Sequence, residues 1–227
     1  MKHPHFKLLT YNIAKAISPL RRKYVLQDLR ESLKTIGADF IFLQEVCGHH
    51  PSKEKAKFTK SPLEILSEEV LPYHYYGMTT EYEDGNHGNA ILSRYEIKRI
   101  HNLDISMSPL ARRGLLHCIL DLPDFQKDLH LFCLHLDLLP ADRRKQFELV
   151  KARILDSVEE SDLVILAGDF NDWKGEWKSR LSQELNLDEV ELSQKGPAKT
   201  FPSFFPLLHL DRVYYRGLAV RDFEILK

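Results

Sequence analysis

Leu163–Asp172, which reads LVILAGDFND, passes from apolar to acidic residues within ten positions. Its four leading apolar residues, two of them β-branched, predict a strand that is buried on both faces. The run stops at Gly168, which permits a close backbone approach or an unusual turn. Asp169 and Asn171 follow at a spacing of two, so in an extended chain their side chains point to the same side. Two interpretations are open: an Asx turn that ends the strand, or polar groups that hold a water and an anionic substrate.

Polar side chains also lie at or near the ends of other predicted strands. The strand Phe6–Ile13 contains an Asn near its end, and the apolar run Asp39–Val46 closes on Gln44-Glu45. If these strands lie side by side, the polar side chains converge at one edge. The set consists of Asn12, Glu45, Asn89, His135, Asp169, Asn171 and Asp211.

Carboxylates and carboxamides without clustered cysteines suit a hard cation such as Mg²⁺ or Mn²⁺. One Glu with one Asn and several waters is a typical amount of protein ligation for Mg²⁺. A cation beside His and Asn side chains suits phosphoryl oxygens, whose negative charge must be neutralised during reaction. The set therefore predicts a metal-assisted phosphate site.

Between the strands, apolar residues recur at helical spacing in four places, and one predicted helix begins at Pro140. Basic residues in the first turns of that helix oppose its dipole, so either a solvated face or another task is open for Arg143, Arg144 and Lys145. Further predictions are a turn cluster at Asp84–Gly88, a helix over Trp173–Leu185 and a last strand over Leu218–Leu226.

Composition limits the location and the partners. The chain has no run of about 18 apolar residues and no signal-peptide pattern at its start, so no stable membrane insertion is expected. Its three cysteines are scattered along the chain, which favours a reduced cytoplasmic location. The formal net charge of -1 gives no global attraction to polyanions, so nucleic-acid binding has to rely on local charge.

Short motifs occur in a fixed order between Thr10 and Tyr214: TYNI, LQE, GNAILS, HL, GDFN and LDRVY. Together they resemble the successive motifs of the endonuclease/exonuclease/phosphatase superfamily. That superfamily includes apurinic endonucleases, pancreatic-type deoxyribonuclease, inositol polyphosphate 5-phosphatases and neutral sphingomyelinases. His135, Arg143 and Gln146 are similar to the H-L…R-x-x-Q pattern of its small bacterial and sphingomyelinase-like branch.

The resemblance implies an α/β fold, a four-layer sandwich of two mixed β-sheets packed face to face with helices on the outside. It implies one endonuclease/exonuclease/phosphatase-like domain over residues 1–227. It also implies a monomeric, Mg²⁺- or Mn²⁺-dependent phosphoesterase that hydrolyses a phosphodiester by in-line attack of an activated water.

Roles follow from the resemblance residue by residue. Glu45 matches the principal metal ligand, and Asn12 matches its neighbour in the metal shell. Asp169 matches the carboxylate that orients or deprotonates the water, and Asp211 matches the carboxylate of a later motif strand. The remaining matches concern the phosphate and the substrate: His135 and Asn171 hold the phosphate, and Asn89 and Arg113 lie on the substrate side.

One family motif is not found. Members normally close with Ser-Asp-His, whereas this sequence contains no Asp-His dipeptide and reaches Lys227 about where that motif should begin. The expected domain therefore lacks its last strand motif, and His209 is a weak substitute. The alternative function is a catalytically impaired member that binds a phosphate ligand or a partner.

The substrate class stays open between nucleic acid, DNA or RNA, and a phospholipid head group. The loop Lys53–Lys60 with Arg112, Arg113, Arg143 and Arg144 favours the first. The apolar segment Phe201–Leu208 favours the second, unless it simply packs in the core.

Overall fold

The computed structural model describes residues 5–14, 26–49, 61–83, 85–121, 127–191, 200 and 209–226. Its elements are, in chain order, β1 (Leu8–Asn12), α1 (Leu26–Ile36), β2 (Phe40–His49), α2 (Pro62–Ser67), β3 (Tyr73–Tyr82), β4 (Gly85–Ser93), β5 (Ile97–Asp104), β6 (Gly114–Asp121), β7 (Asp128–His135), α3 (Pro140–Ser157), β8 (Leu163–Asp169), α4 (Glu176–Leu185), β9 (Asp188–Glu189) and β10 (Asp211–Arg216).

The strands form two mixed sheets, as predicted. The four-stranded sheet has the order β1-β2-β4-β3, and the six-stranded sheet has the order β5-β6-β7-β8-β10-β9. β1 with β2 and β7 with β8 are parallel pairs, and the other neighbours are antiparallel. All residues of β8 are buried, which agrees with its almost wholly apolar sequence.

Apolar clusters define the layers. Phe40 and Phe42 of β2 face the six-stranded sheet and pack in one cluster with Leu116 and Leu131. The alternate β2 residues, Ile41 and Leu43, belong to a second cluster beneath α1 and α2 because side chains alternate between the faces of a strand. A third cluster joins the outer face of the six-stranded sheet to α3 and α4. The result is the predicted helix–sheet–sheet–helix sandwich.

Strand register brings the predicted polar strand ends together. His135 at the end of β7 and Asp211 at the start of β10 are both Cα partners of Asp169 at the end of β8. In the other sheet, Asn12 at the end of β1 is the partner of Gln44, one residue before Glu45. Both sheets therefore present their polar residues at a common end of the sandwich.

Two predictions about the β-structure are wrong. Residues 85–88 are not a turn cluster, because β4 begins at Gly85, opposite Tyr82, and pairs with both β2 and β3. Gly88 serves close packing instead: a Cβ atom there would lie 2.0 Å from the Gly77 carbonyl oxygen. Leu218–Leu226 forms no strand, because apolar side chains such as Val220 and Leu226 stay exposed and gain no burial there.

The helix predicted over Trp173–Leu185 begins later, at Glu176. The Asp172 backbone carbonyl accepts a hydrogen bond from Gly175 N–H at 3.2 Å. The Asp172 side chain accepts from Trp177 N–H through Oδ2 at 2.9 Å. These bonds hold residues 173–175 in a turn. Among the described residues, no helix is long and apolar enough to span a membrane.

Candidate active site

Four side chains from both sheets meet at the common end of the sandwich. Asn12 Nδ2 donates to Glu45 Oε1 at 3.3 Å and to Asp169 Oδ2 at 3.1 Å. His135 lies between the same carboxylates, with Nδ1 3.9 Å from Glu45 Oε1 and Nε2 3.7 Å from Asp169 Oδ2. We call these four residues the carboxylate cluster. It brings together four of the predicted site residues.

Local backbone distortion places Glu45. Leu43 is opposite Ala90 and Val46 is opposite Gly88, so Gln44 and Glu45 together oppose Asn89 in a β-bulge. Glu45 has a φ of +55°, a conformation that a residue with a side chain adopts only at a cost and mostly at functional positions. The bulge thus turns the carboxylate toward the carboxylate cluster.

The segment after β8 closes in an Asx turn. Asn171 N–H donates to Asp169 Oδ1 at 3.0 Å, and the φ of Asn171 is +47°. The extended geometry considered from the sequence is therefore wrong for Asn171, because a buried carboxylate needs hydrogen-bond donors and the nearest one is this backbone N–H. Asp169 Oδ2 still faces Asn12 and His135, so the turn and the polar pair occur together.

Asn171 ties this turn to the neighbouring strand. Its Nδ2 donates to the Leu136 carbonyl at 2.9 Å. The same carbonyl accepts from Arg113 Nε at 3.0 Å. Leu136 follows His135 directly, so this one carbonyl positions Asn171 and Arg113 against the carboxylate cluster.

Asp211 is a second carboxyl group beside Asp169. Burial, followed by the negative charge of Asp169, raises the pKa of Asp211 to about 7. Its Oδ1 is buried and accepts no hydrogen bond from the described residues, while its backbone N–H donates to Thr200 Oγ1 at 3.2 Å. At neutral pH, Asp211 is therefore close to half protonated.

His135 experiences opposing influences. Burial is the largest and lowers the pKa of His135, and the positive charge of Arg113 lowers it further, whereas Asp169 and Glu45 raise it. The net direction is downward. A neutral imidazole between two carboxylates has one ring N–H to donate and one nitrogen to accept a proton.

Asn89, Arg113 and His135 line a small cavity with Glu45. Arg113 reaches it with its Nε and Nη1 bonded to the carbonyls of Leu136 and Arg112. Asn89 is buried and its Nδ2 donates to the carbonyls of Gly114 and Cys133. Because its amide nitrogen is used by these carbonyls, Asn89 has only its Oδ1 left for the predicted contact with a substrate.

The three basic residues at the start of α3 behave differently from one another. Arg144 and Lys145 are exposed, but Arg143 is buried and donates from Nη1 to the carbonyls of Asp137 and Leu138, at 3.2 and 2.6 Å. Gln146 joins the same loop, accepting from Asp137 N–H at 3.0 Å. Arg143 and Gln146 therefore fix the loop that follows His135.

Sequence reasoning missed a buried ion pair beneath the Asp169 turn. Arg212 Nη1 donates to Glu189 Oε1 at 2.7 Å, and Nη2 donates to the Asp172 carbonyl at 2.7 Å. The LDRVY motif marks Arg212, but nothing in the sequence indicates its distant partner.

His209 is partly buried, and no hydrogen bond or ion pair links it to the described site residues. Lys53–Lys60 and Phe201–Leu208 lie outside the described residues.

The residues present fit a hard divalent cation. Within the part of the chain that the structure describes, no three His, Cys, Asp or Glu side chains converge as metal ligands. Mg²⁺ does not need three, because it keeps several waters and takes one or two carboxylates. Glu45 supplies one carboxylate, and Asn12 supplies an amide whose Oδ1 now accepts from Ala14 N–H at 3.0 Å. That amide has to turn over before its oxygen faces a cation.

This chain belongs to the endonuclease/exonuclease/phosphatase family, whose model matches residues 9–226. Family membership indicates a hydrolase of the phosphoesterase or nuclease type. The chain is 38% identical over 218 residues to the uncharacterized protein YbhP of Escherichia coli (strain K12), with 94% of this chain and 86% of YbhP covered.

Solved structures share the fold. An endonuclease/exonuclease/phosphatase from Beutenbergia cavernae is similar with a TM-score of 0.70 and 20% identity, over 93% of this chain and 64% of that chain. This chain thus spans less than two thirds of the length of that protein. Truncated TDP2 from Caenorhabditis elegans gives a TM-score of 0.68 and 18% identity, over 94% and 84% of the two chains. At these identities the likeness shows the fold alone.

Proposed function

We propose that this chain hydrolyses a phosphodiester with the help of a divalent cation, Mg²⁺ or Mn²⁺, held by Glu45 and Asn12. The observation that carries the proposal is the carboxylate cluster, in which both carboxylates lie within 4 Å of the same two polar side chains. A cation bound there supplies positive charge to the phosphate oxygens. Glu45 is partly buried and Asp169 is buried, and two carboxylates that share the same donors are costly unless further positive charge or donors compensate them, which supports a role in binding.

Asp169 is proposed to orient the attacking water. Its Oδ1 is held by the Asn171 N–H at 3.0 Å, so the carboxylate cannot rotate freely. Its Oδ2 faces the centre of the carboxylate cluster and accepts a hydrogen from the water there. Asp211 is only partly ionised beside it at neutral pH, because burial and the negative charge of Asp169 raise the pKa of Asp211 to about 7.

His135 and Asn171 are proposed to hold the phosphate. His135 is neutral and donates its ring N–H, and Asn171 has a second amide hydrogen besides the one bound by Leu136. Arg113 adds a guanidinium group to the cavity beside His135, and Asn89 closes the cavity floor. The cavity therefore offers hydrogen-bond donors and positive charge beside Glu45.

The proposal is tested by hydrolysis of bis-(p-nitrophenyl) phosphate with Mg²⁺, Mn²⁺ or EDTA. The unaltered chain is expected to release p-nitrophenol with either cation and to stop in EDTA. Glu45→Gln is expected to lose at least about a hundredfold of this rate, whereas the matched control Glu160→Gln, on an exposed turn, retains it. Equal rates in EDTA, or full activity of Glu45→Gln, would contradict the metal assignment.

A second candidate is a phosphate-binding module without turnover. The observation that favours it is the Asn12 amide, whose NH₂ already satisfies both carboxylates without a cation. This candidate predicts Mn²⁺-independent binding of inorganic phosphate and no release of p-nitrophenol under any condition. The cytoplasmic location and the monomeric state stay predictions.

A further inference from the structure

Four large apolar side chains are exposed on three loops next to the candidate active site. Leu110 is 98% exposed, Leu138 55%, Leu139 61% and Trp173 41%. Single exposed apolar residues are ordinary, but several on adjoining loops form a patch that marks an interaction site. We call these four residues the apolar rim.

Hydrogen bonds place the apolar rim around the candidate site. The Leu136 carbonyl accepts from both Arg113 and Asn171, and these three residues belong to the three loops. Each member of the rim lies two or three residues from one of them along the chain. Because a residue spans at most about 3.6 Å, the backbone of each rim residue lies within roughly 11 Å of the backbone of Leu136, Arg113 or Asn171.

The loops that carry the rim are held from within. Arg143 Nη1 binds the Leu138 carbonyl at 2.6 Å, and its guanidinium lies 5.6 Å from the centre of the Trp173 ring. Gln146 Nε2 binds the Ile105 carbonyl at 3.1 Å, at the base of the Leu110 loop. Buried polar anchors thus fix the course of all three loops while the apolar side chains point outward.

Among the residues that the structure describes, most of the cations beside the rim are already paired and offer little to a polyanion. Three exposed cations near it each have a carboxylate within 4 Å: Arg112 with Asp104, Arg144 with Glu176, and Lys145 with Asp142. Lys174, next to Trp173, is exposed and pairs with no acidic side chain of the described residues. A nucleic-acid surface needs several unpaired cations, whereas a Trp followed by a Lys suits the boundary between lipid tails and head groups.

We propose that the apolar rim docks on a phospholipid bilayer and presents the head-group phosphodiester to the carboxylate cluster, an inference that rests on the proposed function. Phospholipids carry an anionic phosphodiester directly beside an apolar phase. The rim and the cluster offer the matching arrangement, with apolar tips around donors that bind phosphate. A bilayer also explains why the apolar tips lie on several loops around one opening rather than in one groove.

The test compares sedimentation with vesicles of phosphatidylcholine and phosphatidylglycerol for three proteins. These are the unaltered chain, the double variant Leu110→Ser/Leu139→Ser and the control Leu155→Ser. Leu155 is 62% exposed on α3, about 22 Å along the helix from Pro140. Leu139 is the N-cap residue of α3 and has no side-chain capping bond, so serine suits that position and should not unfold the chain.

The unaltered chain and Leu155→Ser are expected to sediment with the vesicles, and the double variant is expected to lose about tenfold in partition for each leucine removed. Absence of the unaltered chain from the vesicle pellet, or equal partition of the double variant, would overturn the proposal. Salt-sensitive retention on duplex DNA without vesicle binding would overturn it in favour of nucleic acid. Vesicle binding without hydrolysis of bis-(p-nitrophenyl) phosphate would leave docking intact and reject only the proposed function.

Discussion

Gly168 lies where β8 passes against the backbone of β7, one residue before Asp169. Its φ is +147°, and a Cβ atom there would lie 2.0 Å from the Leu134 carbonyl oxygen. Both the backbone conformation and the contact exclude a side chain. The glycine therefore allows the strand to end with Asp169 aimed at His135 and Asn12.

We expect Gly168→Ala to lower the free energy of unfolding by about 3 kcal/mol or more, because backbone strain and overpacking add. Gly37→Ala is the matched control. Gly37 also has a positive φ, +63°, but nothing lies within 4 Å of its added Cβ, so it should cost only about 1 kcal/mol. Urea unfolding of both variants measures the difference, and equal losses would show that the Leu134 contact does not matter.

The chemical types of the site residues could be predicted from the sequence, but the backbone conformation that orients them could not. Glu45 and Asp169 stand out in the sequence because carboxylates close otherwise apolar strands. The bulge at Gln44-Glu45 has no such signal, since LQEV continues the strand pattern while Glu45 takes a φ of +55°. The direction of the Glu45 carboxylate depends on pairing with β4, which is distant in sequence.

The loop between β7 and α3 shows how one helix supports the site. Arg143, in the first turn of α3, is buried and binds two carbonyls of the loop, while its neighbour Arg144 is exposed. The dipole argument does not separate the three consecutive basic residues, whereas the H-L…R-x-x-Q resemblance singles out Arg143 without indicating that it is buried.

We expect Arg143→Met to reduce kcat for bis-(p-nitrophenyl) phosphate by about ten- to a hundredfold, because two buried carbonyls lose their donor and the loop after His135 shifts. Arg144→Met is the control and should stay within about twofold. Arg143 acts through the loop, so KM is expected to change less than kcat. A purely structural role would instead lower the thermal midpoint and leave kcat per folded protein unaltered.

Element bounds were predictable where caps and apolar periodicity agree, as at Pro140. They failed where local hydrogen bonds decide, as at Asp172, whose carbonyl and carboxylate accept from the N–H groups of Gly175 and Trp177 and delay the start of α4 until Glu176. Leu218–Leu226 follows the turn at Gly217 and is predicted as a strand, but it finds no strand partner in the described structure.

At the scale of the whole molecule, a buried pair of histidines, His117 and His130, links the six-stranded sheet to α3. Arg153 Nε donates to His117 Nδ1 at 3.1 Å, so His117 carries its proton on Nε2 and donates to His130 Nδ1 at 2.9 Å. His130 Nε2 lies 3.2 Å from Asp162 Oδ2. Each ring is thus fixed in its neutral form.

Burial, with the neighbouring His130 and Arg153, lowers the pKa of His117 to about 2, and burial also lowers the pKa of His130. The unfolded chain, with histidine pKa values near 6.5, therefore binds more protons below that pH. The contribution of these two histidines to stability is therefore full well above about pH 6.5 and falls as the pH is lowered through that value. Asp211, whose pKa is raised to about 7, acts in the opposite direction.

Lowering the pH from about 7 to about 5.5 is expected to reduce the free energy of unfolding of both proteins. We expect this reduction to be about 1 kcal/mol smaller for His117→Gln than for the unaltered chain. Glutamine keeps both the acceptor for Arg153 and the donor to His130 but does not titrate. His74→Gln, at an exposed position, controls for loss of a histidine, and Asp211 is common to all three proteins. Identical pH dependence of the His117→Gln variant and the unaltered chain would exclude His117 as the acid-sensitive group.

If the carboxylate cluster is a hydrolytic site, turnover depends on Asp169. The decisive measurement is the rate of p-nitrophenol release from bis-(p-nitrophenyl) phosphate in Mn²⁺ by the unaltered chain, Asp169→Asn and Asp28→Asn, the last on the exposed side of α1. We predict that Asp169→Asn loses at least about a thousandfold and that Asp28→Asn stays within about twofold. Activity of Asp169→Asn within tenfold of the unaltered chain would contradict the claim.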